Sequence, residues 1–196
     1  ISFTASSSNI GGLVGINYGN INNCFATGDM DGLYFGGGLV GRNEGQIEKC
    51  YSTGTVSGSA VGGLVGNNWH GYIYDCYATD NVQGDMDGGF AGGLVGSNQY
   101  GNIFRSYSTG KVAGFHAGGL LGAEDYGNDY HCFWDVDKSQ ISIACGYSYY
   151  GYSGITGKST EDMKKDIASK KSEAKLNERL QKITIVNDII DVGNDT

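Results

Sequence analysis

Four cysteines recur along this chain at a near-constant interval. Cys24, Cys50 and Cys76 stand 26 residues apart, and Cys132 returns one unit after Ser106 has taken the next place in the series. Thiols bind metals, cycle between redox states and attack electrophiles, so the interval asks whether repetition builds a site. A zinc site is excluded by the spacing, because there is no CxxC pair and no cluster of histidines. His70, His116 and His131 lie in different copies of the repeat, and none belongs to an HExxH motif. The string GDMDG occurs at 28–32 and again at 84–88. In the first copy Met30 falls where Val56 and Val112 stand, an ordinary strand position. In the second copy Asp85 and Asp87 could face an ion, but they are two of the six to eight oxygens that calcium needs, and no glutamate follows at the right distance. GxSxG is absent, and GITGKST at 154–160 lacks the first glycine of a phosphate-binding loop. The expectation is a protein that is not an enzyme and has neither metal nor cofactor.

The elements that would hold these residues come from composition and period. The chain has 196 residues, 35 of them glycine and none proline, with a formal net charge of −8. So much glycine without a collagen period means placed glycines in a chain that still has apolar residues to bury. An acidic surface repels nucleic acid and anionic membranes, so neither is an expected partner. No apolar run approaches the roughly 20 residues of a membrane span. The first residue is Ile1 rather than Met, from which we expect that a leader or upstream region has been removed.

The pentapeptide GGLVG, or a close variant, begins at Gly11, Gly37, Gly62, Gly92 and Gly118, giving spacings of 26, 25, 30 and 26. Within each unit the same types return. Asparagine stands at Asn17, Asn43, Asn68 and Asn98, and isoleucine at Ile21, Ile47, Ile73 and Ile103. An aromatic follows each cysteine place: Phe25, Tyr51, Tyr77, Tyr107 and Phe133. Threonine comes two residues later at Thr27, Thr53, Thr79 and Thr109. The segments are short, rich in Ile, Val, Tyr and Thr, and punctuated by glycine, which reads as strands. A unit of this length traces ~80 Å at about 3.3 Å per residue, one turn of a coil with two or three strands. Turns stacked at about 4.8 Å would set each recurring residue over its copy. The spacing therefore predicts an all-β parallel β-solenoid of about five rungs, with glycines at corners of positive φ and at close approaches. We divide it into an N-terminal strand (1–10), the solenoid (11–136), a Tyr/Gly-rich capping segment (137–158) and a helix plus C-terminal strand (159–196).

The consensus GGLVGxNxGxIxxC[YF][AS]TG resembles the GLUG motif, a bacterial and archaeal repeat of large secreted or cell-surface proteins, some of them IgA-specific metallopeptidases and some filamentous adhesin-like proteins. The likeness covers residues 11 to about 114, with a degenerate copy from Gly118. The segment CFWDVDKSQISIACGYSYYGYSGITGKSTEDMKK is similar to the closing stretch that often follows such arrays. It departs from that pattern in Cys145 and in the cluster Tyr147, Tyr149, Tyr150 and Tyr152. The resemblance implies an extracellular or cell-surface repeat protein. It carries no peptidase activity over, because the HExxH residues are missing.

In stacked coils Cys24, Cys50, Cys76, Ser106 and Cys132 form a ladder of small core residues. Neighbouring cysteines have parallel Cβ vectors, which disfavours bridges along the ladder, and Cys132 with Cys145 is the best candidate for a disulfide. If the cysteines face inward, Phe25, Tyr51, Tyr77 and Tyr107 face outward with Thr27, Thr53, Thr79 and Thr109. That ribbed face could contact glycan, protein or, less suitably, ice; equally, its rungs could simply stabilise one another. At the C-terminal side a helix is expected from an N-cap at Ser159, with a strand over 183–192. A poorly covered first rung together with a strand that has no partner in the repeat suits head-to-tail association of copies. The sequence thus points to a self-associating surface filament subunit or adhesin stalk, with an adhesin module that binds glycan or a host or cell-surface protein as the alternative.

Overall fold

In a computed structural model of the chain, residues 3, 4 and 9–166 are described. They form a parallel β-solenoid of about six coils, one more than the repeat count predicts. The extra coil comes from the segment expected to act as a cap. Cys145–Ser148 pairs in register with the strand Leu121–Asp125, and Ile155–Lys158 pairs with Cys132–Asp135.

Three parallel sheets run along the coils. The six-stranded sheet stacks Val14–Asn17, Val40–Asn43, Val65–Trp69, Val95–Gln99, Leu121–Asp125 and Cys145–Ser148. The five-stranded sheet stacks Asn20–Asn22, Gln46–Glu48, Tyr72–Tyr74, Asn102–Phe104 and Asn128–Tyr130. The twelve-stranded sheet holds the rest and includes two long strands, Phe25–Gly37 and Tyr51–Gly62. Pairing follows the repeat: Ile21, Ile47, Ile73 and Ile103 are consecutive partners, as are Phe25, Tyr51, Tyr77, Tyr107 and Phe133. The uneven spacings also have local causes. A register shift between Met30 and Leu33 absorbs the one residue by which the first spacing, 26, exceeds the second, 25, and a turn at 86–88 holds most of the long insertion.

Each coil wraps two cores. The larger contains Leu39, Leu64, Leu94 and Leu120 with Ile47, Ile73 and Ile103. The smaller contains Met30, Val56, Val61, Val82, Ala91 and Val112. Between them the backbone crosses itself, and GGLVG sits at that waist. A Cβ on its first glycine, at Gly37, would lie 2.0 Å from Val40 O; on its second, at Gly38, 2.2 Å from Gly63 O; on its last, at Gly41, 2.4 Å from Ile10 N. Contacts this short exclude any side chain, while the intervening Leu39 and Val40 are fully buried. Of the two roles expected of glycine, GGLVG carries the close approach, while positive φ falls to glycines elsewhere, among them Gly28, Gly54 and Gly88. The repeated left-handed corners are occupied by other residues, Asn23, Lys49, Asp75, Arg105 and His131 in one column, and His70, Tyr100 and Tyr126 in another.

Trp134 and Asp135 close the array locally. The indole Nε1–H of Trp134 donates to Ile141 O (3.0 Å) and its ring lies against Gly119. Asp135 caps the one-turn helix Val136–Ser139, accepting from the backbone N–H groups of Asp137 and Lys138. Residues from 160 onward form a separate unit, whose helix is described over 160–166 and so begins one residue after Ser159. The strand expected over 183–192 lies outside the described residues.

Candidate functional site

The columns anticipated from sequence exist as continuous ladders. In the cysteine column each sulfur accepts the backbone N–H of the coil before: Cys24 N donates to Cys50 Sγ (3.4 Å) and Cys50 N to Cys76 Sγ (3.4 Å), while Cys76 N donates to Ser106 Oγ (3.1 Å). Ser106 thus continues the same pattern with a shorter bond. The expected Cys132–Cys145 bridge is corrected, since all five cysteines are free thiols. Cys132 stands on the twelve-stranded sheet beside Ile155 and donates to Ile103 O, whereas Cys145 stands on the six-stranded sheet beside Leu121 and donates to Tyr147 O. Burial pushes both thiols up to about 12, and Cys76 is also raised, by its neighbour Cys50 and by burial. Thiols held neutral in this way are poor nucleophiles and poor metal ligands.

The outward aromatic column brings Phe25, Tyr51, Tyr77 and Tyr107 into one stack, with centroids 5.0–5.1 Å apart and planes within 6°. Lys158 Nζ lies 3.8 Å from the centroid of Phe133, the next position of the column. Thr27 and Thr53 are direct neighbours, and Thr79 and Thr109 occupy the same place in later coils. Stacking uses the ring faces for one another, so the column offers a partner mainly ring edges and hydroxyls. Asp85 and Asp87 are exposed at the inserted turn, and among the described residues no three His, Cys, Asp or Glu side chains come together as a metal site. Met30 pairs with Val56 as an inward strand residue.

The asparagine column does more than its recurrence indicated. Asn17, Asn43 and Asn68 each donate through Nδ2 to the Oδ1 of the next (2.8–2.9 Å), and Asn98 Nδ2 ends the run on Glu124 Oε2 (2.9 Å). The glycines three residues beyond Asn68 and Asn98, Gly71 and Gly101, leave room for the amides. At the end of the ladder two substitutions occur together: Glu124 replaces asparagine and Asp129 replaces isoleucine. Both are buried. Desolvation, followed by the Glu124 charge, raises Asp129 to about 9; desolvation raises Glu124 to about 7. The two carboxyls interact at the buried end of the ladder, where burial favours the protonated form of Asp129. A third interior acid, Asp80, stands in the column of Gly28, Gly54 and Gly110 and is raised to about 7 by burial. Ser52 Oγ lies 2.8 Å from both Gly63 O and Asp80 Oδ2. One hydroxyl proton cannot serve both, which fits a protonated Asp80 donating to Ser52 while Ser52 donates to Gly63.

One concavity lies on the flank of the waist, with a volume of about 370 Å³. Phe90 and Tyr147 form one side, Tyr126 and Tyr150 the other, and Ser97 and Ala123 the floor. Tyr126 continues a second stack, His70–Tyr100–Tyr126, with centroids 4.9 and 5.3 Å apart, and Tyr150 lies 4.0 Å beyond. The sequence marks the tyrosine cluster at 147–152 as a departure from the closing pattern and places it in a capping segment, without a binding role. Its signal was the aromatic or histidine placed before a recurring glycine: His70, Tyr100 and Tyr126.

Among curated proteins and among solved structures, none matches the chain. The family model of the GLUG motif matches it four times, over residues 6–30, 36–57, 57–83 and 88–113. These matches cover half of the chain and coincide with the coils whose ladders are most regular. By repeat, register and coil, the chain belongs to the GLUG-motif family.

Proposed function

We propose that this chain is a non-catalytic structural segment at the cell exterior that joins copies of itself head to tail, as a filament subunit or adhesin stalk. The observation that carries this reading is the first coil. Leu13 is 48% exposed, whereas its equivalents Leu39, Leu64 and Leu94 are fully buried. Cys24 and Ile21 are likewise only partly buried, against complete burial of Ile47 and Ile73. Val14–Asn17 and Asn20–Asn22 are the end strands of their sheets, and Cys145–Ser148 and Asn128–Tyr130 are the opposite ends. Among the described residues these sheets end in edge strands beside the exposed Leu13, an edge that another coil of the same pitch would match.

Sedimentation across a concentration series and negative-stain imaging test the proposal. The expected result is fibres or ladders that lengthen with concentration, are blocked by Leu13→Asp and are lost on deletion of 183–196. A single monomeric species at every concentration would overturn it. An adhesin that uses the Phe25–Tyr107 face for glycan is a weaker second reading, since those ring faces are already stacked on one another.

A further inference from the structure

We infer that the concavity at the waist is a binding site for an uncharged glycan chain, distinct from the Tyr/Thr face. Its shape comes from a change along one column of the six-stranded sheet. Arg42, Asn67, Ser97, Ala123 and Tyr147 are successive partners in that column. Two long polar side chains thus give way to serine and alanine, and the column then rises again at Tyr147. The floor drops for two coils between Asn67 below and Tyr147 above. Repetition alone would give a uniform trough; the substitutions make a bounded one.

The lining has the chemistry of a sugar site. A pyranose ring presents a C–H face and a rim of hydroxyls, and it is held by aromatic side chains beside planar amides and carboxylates. Here Phe90 and Tyr147 stand 6.1 Å apart on one wall, while Tyr149, 74% exposed, projects at the mouth. Gln99 and Asp125 lie along the rim. Below the floor, Asn67 is 3% exposed; its Nδ2 donates to Gln99 Oε1 (3.4 Å), while its Oδ1 has no partner and is available to order Gln99 or a bound hydroxyl. The volume falls at the small end of ligand clefts, about 300–1,000 Å³, and the cleft is partly open to solvent, which suits a segment of a chain rather than an enclosed cofactor. Charge selects the class: Asp125 lies on the rim and no Lys, Arg or His lines the cleft, so nothing there pairs with a uronic or sulfated sugar.

The test uses the full chain with neutral oligosaccharides (linear glucose, mannose and N-acetylglucosamine oligomers), with oligogalacturonate and choline as acidic and cationic probes, read by saturation-transfer NMR and calorimetry. We expect a neutral oligomer to bind. Tyr149→Ala and Tyr147→Ala should each weaken it about tenfold or more, and Ser97→Phe should abolish it by filling the floor. Tyr51→Ala, on the other face, should leave it unchanged, as should Leu13→Asp, which acts on association alone. Because Tyr149 is mostly exposed, its variant keeps the β-type circular dichroism, so loss of binding there cannot be loss of fold. Absence of binding to every neutral oligomer, equal binding by a Tyr147→Ala/Tyr149→Ala double variant, or preference for oligogalacturonate or choline would each overturn the proposal.

Discussion

At the scale of single residues, the interior polar groups decide stability. Asn68 both receives the amide of Asn43 and donates to Asn98, so its removal strands a donor on one side and an acceptor on the other. Asn68→Ala should cost about 2–4 kcal/mol in urea unfolding, because buried partners left without water lose their full solvation. The three interior acids set a pH dependence with a definite sign. Asp80, Glu124 and Asp129 bind protons more tightly folded than unfolded, their values rising from 3.8, 4.5 and 3.8 to about 7, 7 and 9. Their contribution to stability is therefore greatest below pH ~4 and falls as pH climbs through 7 toward 9, by up to about 1.4 kcal/mol per pH unit for each acid titrating. Thermal melts across that range should show the decline, and Asp80→Asn should flatten its share between about 4 and 7; a melting temperature that rises through the window would contradict the protonated interior. A thiol reagent should label Cys24 readily in the native protein and Cys50, Cys76, Cys132 and Cys145 only on unfolding, since Cys24 alone is partly exposed.

At the scale of elements, glycine position separates two physical roles. A methyl at Gly92 would lie 1.9 Å from Val95 O at the waist, while one at Gly19 meets nothing within 4 Å. Gly92→Ala should lower stability by about 4 kcal/mol or more, or prevent folding; Gly19→Ala should stay within about 1 kcal/mol of the parent. Chemical denaturation of the pair decides it. The left-handed corners behave otherwise, for they carry Lys49, Asp75 and Arg105, and the last two form a bidentate ion pair one coil apart (2.7 and 2.8 Å). That pair is exposed and contributes at most about 1 kcal/mol. Its position explains why a column with non-glycine φ need not repeat in residue type: such corners point to solvent, where only backbone strain is selected.

At the scale of the whole solenoid, repetition is cooperative along the axis, and among the described residues the first coil is the least covered. Each coil is stabilised by its neighbours, so the coil with one neighbour is the weakest, and Leu13 beside Leu39 shows the difference in burial. Native-state hydrogen exchange should therefore protect the amides of Val65–Trp69 and Val95–Gln99 most and those of Val14–Asn17 least. Head-to-tail contact would reverse that order at the first coil, raising its protection with protein concentration.

What could be read in advance and what could not divide along a physical line. The coil, its parallel register and the cysteine, aromatic and asparagine ladders were legible because a stacked repeat converts a fixed interval along the chain into adjacency along the axis. Cys24 meets Cys50 for the same reason that Ile21 meets Ile47. Contacts within one coil have no such code. The crossing of Gly41 against Ile10, the two cores on either side of it, the acid pair Glu124–Asp129 and the cleft between Phe90 and Tyr126 join unlike positions of the unit. The repeat interval sets the axis, whereas the cross-section emerges only on folding, because the path of a coil is set by which side chains exclude or admit a crossing backbone.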